Sequence, residues 1–248
     1  ETLPSGIFVH LLVNREAPPF NEPAIRTAMS LTFDRETFNA ILGEGKMPIG
    51  GVMTPLPDGP WGMPPATLAA LAGYGPDVEK SRAEGRRLME GLGYTKDKPL
   101  KLKISTRALD VYKEPALILL DQLKQVNIEA ELAIIDTNVW YNMLLKKDYA
   151  IALNLTGTAL DEPDVSIVEN YSCKSERNFT NYCNPEIDRL IAAQSRETDT
   201  DKRRQMVWEI ERLLVENTVK PVIIHLSQAT CWHPHVKAVT RHVASMYN

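Results

Sequence analysis

The sequence predicts an α/β fold of the mixed α+β kind. Two kinds of segment follow each other along the chain. Short stretches that are apolar, or that alternate between apolar and polar residues, are typical of strands, and longer stretches with helical periodicity lie between them. Hydrophobic residues make up 44% of the 248 positions and charged residues 24%, which is enough apolar surface for a folded core and excludes a mainly disordered chain. No internal repeat or low-complexity tract interrupts this pattern.

The start of the chain is predicted to form one strand and two helices. Residues 7–13 are a continuous apolar run, which predicts a buried strand. Asn21 is the expected N-cap of the next helix, because Pro23 then falls in the first helical turn. Asp34 is the expected N-cap of a second helix, which ends at Gly43.

Residues 43–76 are dense in glycine and proline and leave little room for regular structure, apart from a short helix at residues 66–71. Irregular segments of this length are uncommon inside a domain and are often functional. We therefore expect this segment to serve a function or wrap another surface. A plain connection along the surface is the alternative interpretation.

The rest of the chain continues the alternation of strands and helices. Asp77 is expected to open a helix that ends at Gly93. Residues 100–104 and 128–135 alternate with period two, as half-buried strands do. The other predicted elements are helices at residues 115–126, 138–147, 165–169, 184–193 and from Asp199 onward, and strands at residues 149–155 and 222–226.

The charge balance argues against a nucleic-acid partner. Lys and Arg total 28 and Asp and Glu total 32, so the formal net charge is −4. Binding to phosphates needs a clustered positive excess instead. The longest apolar runs, residues 7–13 and 116–120, fall far short of the roughly 20 residues that cross a bilayer, so we expect no membrane-spanning helix.

The three cysteines indicate a disulfide rather than a redox or metal site. Cys173 and Cys183 lie in a polar, turn-rich stretch whose length allows a small disulfide loop. Redox catalysis usually needs the CxxC spacing, and a metal site needs more ligands. A disulfide here would indicate an oxidising compartment such as a periplasm. Cys231 is then unpaired, and we expect it to be a buried small hydrophobic residue.

No catalytic or metal-binding signature stands out. The sequence lacks a Gly-x-Ser-x-Gly elbow, a phosphate-binding glycine loop, HExxH and GxGxxG. His233 and His235 follow Cys231 closely, but two ligands one residue apart across Pro234 make a poor chelate. We expect these imidazoles to face solvent, and we expect neither a metal nor a cofactor.

Polar residues follow one predicted strand at a place where ligands usually bind in α/β domains. Thr156, Gly157 and Thr158 form a turn that leads into an acidic stretch with Asp161 and Asp164. The two carboxylates are candidates to bind a cationic group. Either one could instead cap the helix that follows.

Arg107 follows another predicted strand, at residues 100–105. A guanidinium at a strand end can hold a carboxylate through two parallel hydrogen bonds. A surface salt bridge is the alternative interpretation of this residue.

Five segments, in order along the chain, resemble a single family. Residues 14–35 contain an Asn, then Pro-Pro-Phe, Ile-Arg-Thr-Ala and Asp-Arg, and this arrangement is similar to the signature of the family 5 extracellular solute-binding proteins. That family comprises the oligopeptide-, dipeptide- and nickel-binding receptors of ABC importers. The supporting segments are residues 74–94, 161–164, 178–188 and 221–226.

The resemblance implies the second lobe of a periplasmic-binding-protein-like type II clamshell. Complete family members close two lobes over a ligand, and a large first lobe precedes the region that this chain resembles. Residues 1–248 are therefore expected to form a single C-terminal lobe, which begins near the first hinge strand and is cut at its end.

The resemblance also implies site residues. Dipeptide-binding members have an arginine at this strand end that holds the ligand carboxylate, and Arg107 matches it. Their aspartate that pairs with the ligand amine is replaced here by Ala159, and Asp161 could take its place only if the loop shifts. Arg107, Asp161 and the turn at residues 156–158 are expected to line the cleft. Cys173 and Cys183 match a disulfide of several members.

The function implied by the resemblance is that of the substrate-binding component of an ABC importer. Such a protein captures a peptide or another small polar solute in the periplasm of a Gram-negative cell. The implied partners are the solute, the ABC permease and the missing N-terminal lobe. The alternatives are a ligand-sensing ectodomain or scaffold module of the same fold and, from a different class, a hydrolase that uses Asp161 or His225.

Overall fold

A five-stranded sheet of order β3-β2-β4-β1-β5 lies at the centre of the molecule. The computed structural model describes residues 2–157, 160–229 and 231–239. The strands are β1 (Thr2–Val13), β2 (Leu100–Arg107), β3 (Ile128–Ile135), β4 (Ile151–Gly157) and β5 (Val222–Ala229). The predicted mixed α/β fold is thus confirmed.

The strand directions bring four carboxyl ends to the same side of the sheet. β2 runs parallel to both β3 and β4, whereas β1 runs antiparallel to β4 and to β5. The carboxyl ends of β2, β3, β4 and β5 therefore lie together, and we call this side the carboxyl edge. Arg107 and Gly157, the last residues of β2 and β4, both lie there.

Helices cover both faces of the sheet. They are α1 (Pro23–Leu31), α2 (Arg35–Gly43), α3 (Pro65–Ala69), α4 (Val78–Gly91), α5 (Asp110–Leu123), α6 (Thr137–Lys146), α7 (Glu169–Tyr171), α8 (Pro185–Gln194) and α9 (Thr200–Glu216). A short 3₁₀ turn, Lys124–Val126, follows α5, and a π-helical turn, Asp164–Val168, leads into α7. Among the described residues, no helix combines the length and apolar character that a membrane crossing requires.

The main core lies between one face of the sheet and helices α1, α2, α4 and α5. Buried members include Leu11 of β1, Leu153 of β4 and Met29 of α1. A second cluster joins α7, α8 and α9 to residues 52–53, and a third packs α6 against the sheet through Trp140. Along each strand, successive side chains point to opposite faces of the sheet, as the period of two requires.

Most predicted elements are confirmed, with two local corrections. Asp34 caps α2 as expected, since its carboxylate accepts a hydrogen bond from the Thr37 backbone. The N-cap of α1 is Glu22 rather than Asn21, because the Glu22 side chain accepts from the Ala24 backbone. Arg107 belongs to β2 itself and does not follow it.

The segment at residues 43–76 is irregular apart from α3 and lies against β5 and α9. The His225 backbone donates to the Pro48 carbonyl at 3.1 Å, and the His225 ring nitrogen Nε2 lies 2.9 Å from the Gly51 carbonyl oxygen. Glu211 of α9 accepts from the Met53 backbone at 3.1 Å. The segment therefore packs along β5 and α9, and whether it also serves a function stays a prediction.

The predicted disulfide between Cys173 and Cys183 is present. The expectation for Cys231 is wrong, because this free cysteine is exposed. It lies two positions after the end of β5. His233 and His235 are exposed as expected and stack on each other with ring centroids 5.5 Å apart. Within the described residues, no group of three His, Cys, Asp or Glu side chains has a metal-binding arrangement.

Candidate ligand-binding site

Arg107 is held in place at the carboxyl edge by a hydroxyl and two aromatic rings. Its Nε donates a hydrogen bond to Thr137 Oγ1 at 3.1 Å. The guanidinium lies 5.5 Å from the ring centroid of Tyr112 and 5.6 Å from that of Tyr141, close enough for cation–π attraction. In the described part of the chain it forms no ion pair with a carboxylate, so its charge is not already neutralised there. Its planar donors suit a ligand carboxylate.

Thr156 is fixed from below by a buried histidine. Its Oγ1 lies 2.8 Å from Nε2 of His10, on the neighbouring strand β1. Burial lowers the pKa of His10 to about 3, helped by repulsion from Lys220, so the ring is neutral near pH 7. The Asn154 amide nitrogen lies 3.5 Å from the same ring nitrogen. A layer of buried, hydrogen-bonded polar side chains therefore lies beneath the end of β4.

Thr156 and Gly157 line a cavity of about 440 Å³ at the carboxyl edge. Its other lining residues include Tyr141, Leu145, Asn154, Asn170 and Phe179, with Glu176 and Arg177 also at the wall. Since Tyr141 also contacts the Arg107 guanidinium, the arginine and the cavity adjoin each other. The mixture of apolar side chains and a few fixed polar groups is typical of sites for small ligands.

The acidic turn after β4 is tied to helices α8 and α9. Asp164 accepts hydrogen bonds from the Gln194 and Ser195 side chains, and the Arg203 guanidinium lies 3.6 Å from its other carboxylate oxygen. Arg203 also bonds to Glu162 and stacks over Trp61 at 4.9 Å. The capping role considered for Asp164 is wrong. Asp164 is the first residue of the π-helical turn, and the N-cap position before it is occupied by Pro163, which makes no side-chain capping bond.

The structure brings only part of the predicted site together. Thr156 and Gly157 share the cavity, and Arg107 adjoins it through Tyr141. Asp161 is half-buried in the following turn and is not among the cavity-lining residues described. Thr158 and Ala159 lie outside the described residues.

Apart from Thr156 and Gly157, sequence reasoning missed the residues of the cavity wall, and three of them show why. Asn154 lies two positions before Thr156, so a period of two along β4 places both side chains on one face, and this signal was available. Asn170 and Tyr141 gave no local signal, because only the folded chain brings α6, α7 and β4 together.

Several exposed apolar side chains belong to segments that adjoin the carboxyl edge. They lie near the ends of β2 and β3, in the helices that follow these strands, and in the turn after β4. Their exposed fractions are unusually large for such side chains, with Ile134 at 49%, Val139 at 53% and Tyr141 at 56%. The set comprises Leu109, Val111, Ile134, Val139, Tyr141, Leu145 and Leu160. Large exposed apolar areas of this kind mark interaction sites.

A second cavity of about 410 Å³ lies near the amino ends of the strands, at the start of α2. Its arginine, Arg35, already donates to the carbonyl oxygens of Val222 and Gly73 and stacks on the Tyr74 ring at 3.7 Å. Because these contacts occupy its donors, Arg35 is a structural link, and the carboxyl edge is the better candidate for ligand binding.

Comparisons with curated proteins point to peptide-binding relatives. The oligopeptide-binding protein OppA of Escherichia coli is 27% identical over 220 residues, which are 87% of this chain and 39% of that protein. A probable di/tripeptide-binding protein of Pseudomonas aeruginosa is 25% identical over 236 residues, with 91% and 41% covered. A probable deoxycholate-binding periplasmic protein of E. coli is 21% identical over 215 residues, with 85% and 38% covered. The chain thus spans about two fifths of the length of these relatives.

Solved structures show the same fold. Haemophilus influenzae OppA in complex with the peptide RPPGFSPFR matches with a TM-score of 0.80 and 19% identity, over 91% of this chain and 44% of that one. Helicobacter pylori DppA in complex with the peptide STSA matches with a TM-score of 0.71 and 14% identity, over 90% and 43%. The fold is therefore that of part of a type II periplasmic binding protein.

The family profile of the bacterial extracellular solute-binding proteins, family 5 middle region, matches residues 1–178. This is more than half of the chain, and it includes β1 to β4, Arg107 and the cavity residues of α6 and α7. Members of this family such as OppA are binding proteins and not enzymes. The chain belongs to the family 5 bacterial extracellular solute-binding proteins.

Proposed function

We propose that this chain is the C-terminal lobe, residues 1–248, of a two-lobe receptor that captures a peptide or another small polar solute for an ABC importer. The observation that carries the proposal is the carboxyl edge, where an arginine that pairs with no carboxylate among the described residues adjoins a cavity, with exposed apolar side chains nearby. A second lobe closing on this edge would cover these apolar side chains and enclose the solute. Closure of rigid lobes of this kind is a hinge motion.

The residues have separate roles in this proposal. Arg107 binds a carboxylate of the solute, because its position is fixed by Thr137 and by two rings while no carboxylate in the described part of the chain pairs with it. Thr156, Gly157 and Thr158 provide polar contacts at the end of β4. Asp161 binds a cationic group from the turn that Arg203 and Asp164 anchor.

The proposed location is the periplasm of a Gram-negative cell, and the proposed partners are the ABC permease and the N-terminal lobe. The disulfide between Cys173 and Cys183 supports an oxidising compartment. Relatives from E. coli and P. aeruginosa with peptide-binding names support a peptide as the solute, while the deoxycholate-binding relative supports testing other solutes.

Calorimetric titration of the full-length protein that contains this chain tests the proposal. The ligands are the peptides RPPGFSPFR and STSA, with deoxycholate as a solute of another class. We expect at least one peptide to bind, and Arg107→Gln to weaken its affinity by roughly tenfold or more, because a charge-assisted hydrogen-bond pair is lost.

Arg189→Gln is the matched control, since Arg189 is exposed on α8 and forms no ion pair among the described residues. It should leave the affinity unchanged. An Arg107→Gln variant that binds as tightly as the wild type would contradict the assigned role, and absence of binding to every ligand would contradict the peptide-receptor function.

A further inference from the structure

Lys220 is a buried cation directly behind the wall of the carboxyl-edge cavity. It lies between α9 and β5, and only 5% of it is exposed. Its Nζ donates a hydrogen bond to Oδ1 of Asn170 at 3.2 Å and lies 4.9 Å from the centroid of the Tyr171 ring. Asn170 itself lines the cavity. A single amide side chain therefore separates the ammonium group from the cavity.

Among the described residues, the groups near Lys220 form no ion pair with it. His10 of β1 is neutral near pH 7, and the Tyr171 phenol stays protonated because burial raises its pKa. Glu211 of α9 interacts with Tyr171, but its carboxylate accepts from the Met53 backbone and forms no ion pair with Lys220. No other carboxylate among the described residues pairs with Lys220. A buried, unpaired ammonium carries a large desolvation cost.

The cavity wall connects to Lys220 at two places. One is Asn170, through the direct hydrogen bond. The other is Thr156, through its contact with His10, whose pKa the charge of Lys220 lowers. The charged residues at the wall are Glu176 and Arg177, and Arg177 is paired with Glu169 at 3.2 Å. A cation near a low-dielectric wall attracts an anion in the adjacent cavity more strongly than a cation in water does.

We propose that the cavity beside Thr156 and Asn170 binds an anionic group of the solute, a carboxylate, and that Lys220 determines this preference. The inference rests on the proposed function and assigns to the receptor a second anion-recognising position, distinct from Arg107. Arg107 lies in front of the cavity and contacts Tyr141, whereas Lys220 acts from behind the wall. The preferred solutes are peptides or other small molecules with a carboxylate in addition to the one that Arg107 holds.

The pH dependence of binding follows from the position of Lys220. Burial lowers its pKa to about 7, so near neutral pH part of the population lacks the charge. An anion in the cavity favours the charged form, and its binding takes up a proton. The preference for the anionic solute should therefore weaken as the pH rises through about 7.

Two matched tripeptides, Ala-Glu-Ala and Ala-Gln-Ala, test the preference in the full-length protein by calorimetric titration. We expect the wild type to bind Ala-Glu-Ala about fivefold more tightly or better, and Lys220→Met to bind both peptides equally. Lys220→Met should fold, because an apolar side chain of similar length replaces a buried charge. Asn170→Asp is a second variant that keeps Lys220 but gives it an internal counter-ion, and it should lose the preference too.

Lys98→Met is the control variant, because it removes the same charge from an exposed position just before β2, at the opposite edge of the sheet. It should keep the wild-type preference. If wild type and Lys220→Met show the same preference, the inference is wrong while the proposed peptide binding stands.

A second measurement does not depend on peptide binding. The Lys220 signal, assigned by its absence in Lys220→Met, is titrated by NMR of ¹³C-labelled lysine with acetate or with acetamide at constant ionic strength. We expect acetate to raise the pKa of Lys220 by about 0.5 and acetamide to leave it unchanged. This result without any peptide binding would keep the anion site and remove the proposed peptide function. An unchanged pKa in acetate would overturn the anion site itself.

Discussion

The two faces of the sheet are built differently. On the face covered by α1, α2, α4 and α5, the buried strand residues are apolar, as with Val9, Leu11 and Leu153. On the opposite face, His10 and Asn154 are buried within the same strands. Lys220, Glu211 and His225 are buried among the elements that pack on or beside that face. One face is thus a continuous hydrophobic core and the other contains a buried polar layer.

The two faces are expected to differ in what they contribute to the stability of the fold and to the candidate binding site. Burial of apolar area stabilises the fold, whereas a buried polar or charged group costs desolvation unless its partners compensate for it. The polar layer lies beneath the carboxyl-edge cavity and positions Thr156 and Asn170. We therefore expect the face with the polar layer, beneath the candidate cavity, to contribute less to stability than the apolar face.

The largest effect is expected from a cavity on the apolar face. Leu153→Ala should lower the free energy of unfolding by about 3 kcal/mol, because Leu153 is fully buried and its loss leaves an unfilled space. Urea denaturation measures the change. Leu117→Ala is the control, since Leu117 is 58% exposed on α5, and its effect should stay within about 0.5 kcal/mol. Equal effects of the two variants would show that the apolar face is not the main source of stability.

The disulfide on the other side of the molecule should rank second. Cys173 and Cys183 are ten positions apart. Replacing both with serine should lower the free energy of unfolding by about 2–3 kcal/mol, because the unfolded chain regains the conformational entropy that the closed loop removes. Urea denaturation under non-reducing conditions measures this. Thiol titration of the unfolded wild type should find one free thiol, from Cys231. Three free thiols would contradict the bridge.

The ionisation of the polar layer should change the stability in opposite directions for two groups, and only over the pH range in which each group titrates. Burial raises the pKa of Glu211 from 4.5 to about 7, so its contribution to stability is full below pH 4.5 and is lost as the pH rises to about 7. Burial lowers the pKa of His10 from 6.5 to about 3, so its contribution is full above pH 6.5 and is lost as the pH falls to about 3.

Glu211→Gln and His10→Gln measure these contributions when their unfolding free energies are compared with those of the wild type across this pH range. Relative to the wild type, Glu211→Gln should gain stability as the pH rises through about 7, and His10→Gln should gain stability as the pH falls towards about 3. The curve of Leu153→Ala should run parallel to that of the wild type. Parallel curves for all the variants would mean that the polar layer does not titrate as its burial implies.

Local patterns predicted much of the fold. The apolar run at residues 7–13, the alternation at residues 128–135 and the cap at Asp34 each depend on neighbours in sequence, and the structure confirms them. Asn21 and Glu22 are both acceptable near a helix start, so pattern alone could not choose between them. The exposure of Cys231 depends on what packs against it, which its own sequence context does not reveal.

The sequence by itself determined the α/β class, the family and the pair of cysteines that form the disulfide, because periodicity, ordered motifs and spacing are properties of the chain. Only the tertiary structure decided what surrounds Arg107 and placed His10 beneath Thr156, since β1 and β4 are 146 residues apart at that contact. It alone placed Lys220 behind Asn170, 50 residues away. The physical reason is that burial and electrostatic environment arise from packing between distant elements, and they decide which polar groups are neutral, paired or able to attract a ligand.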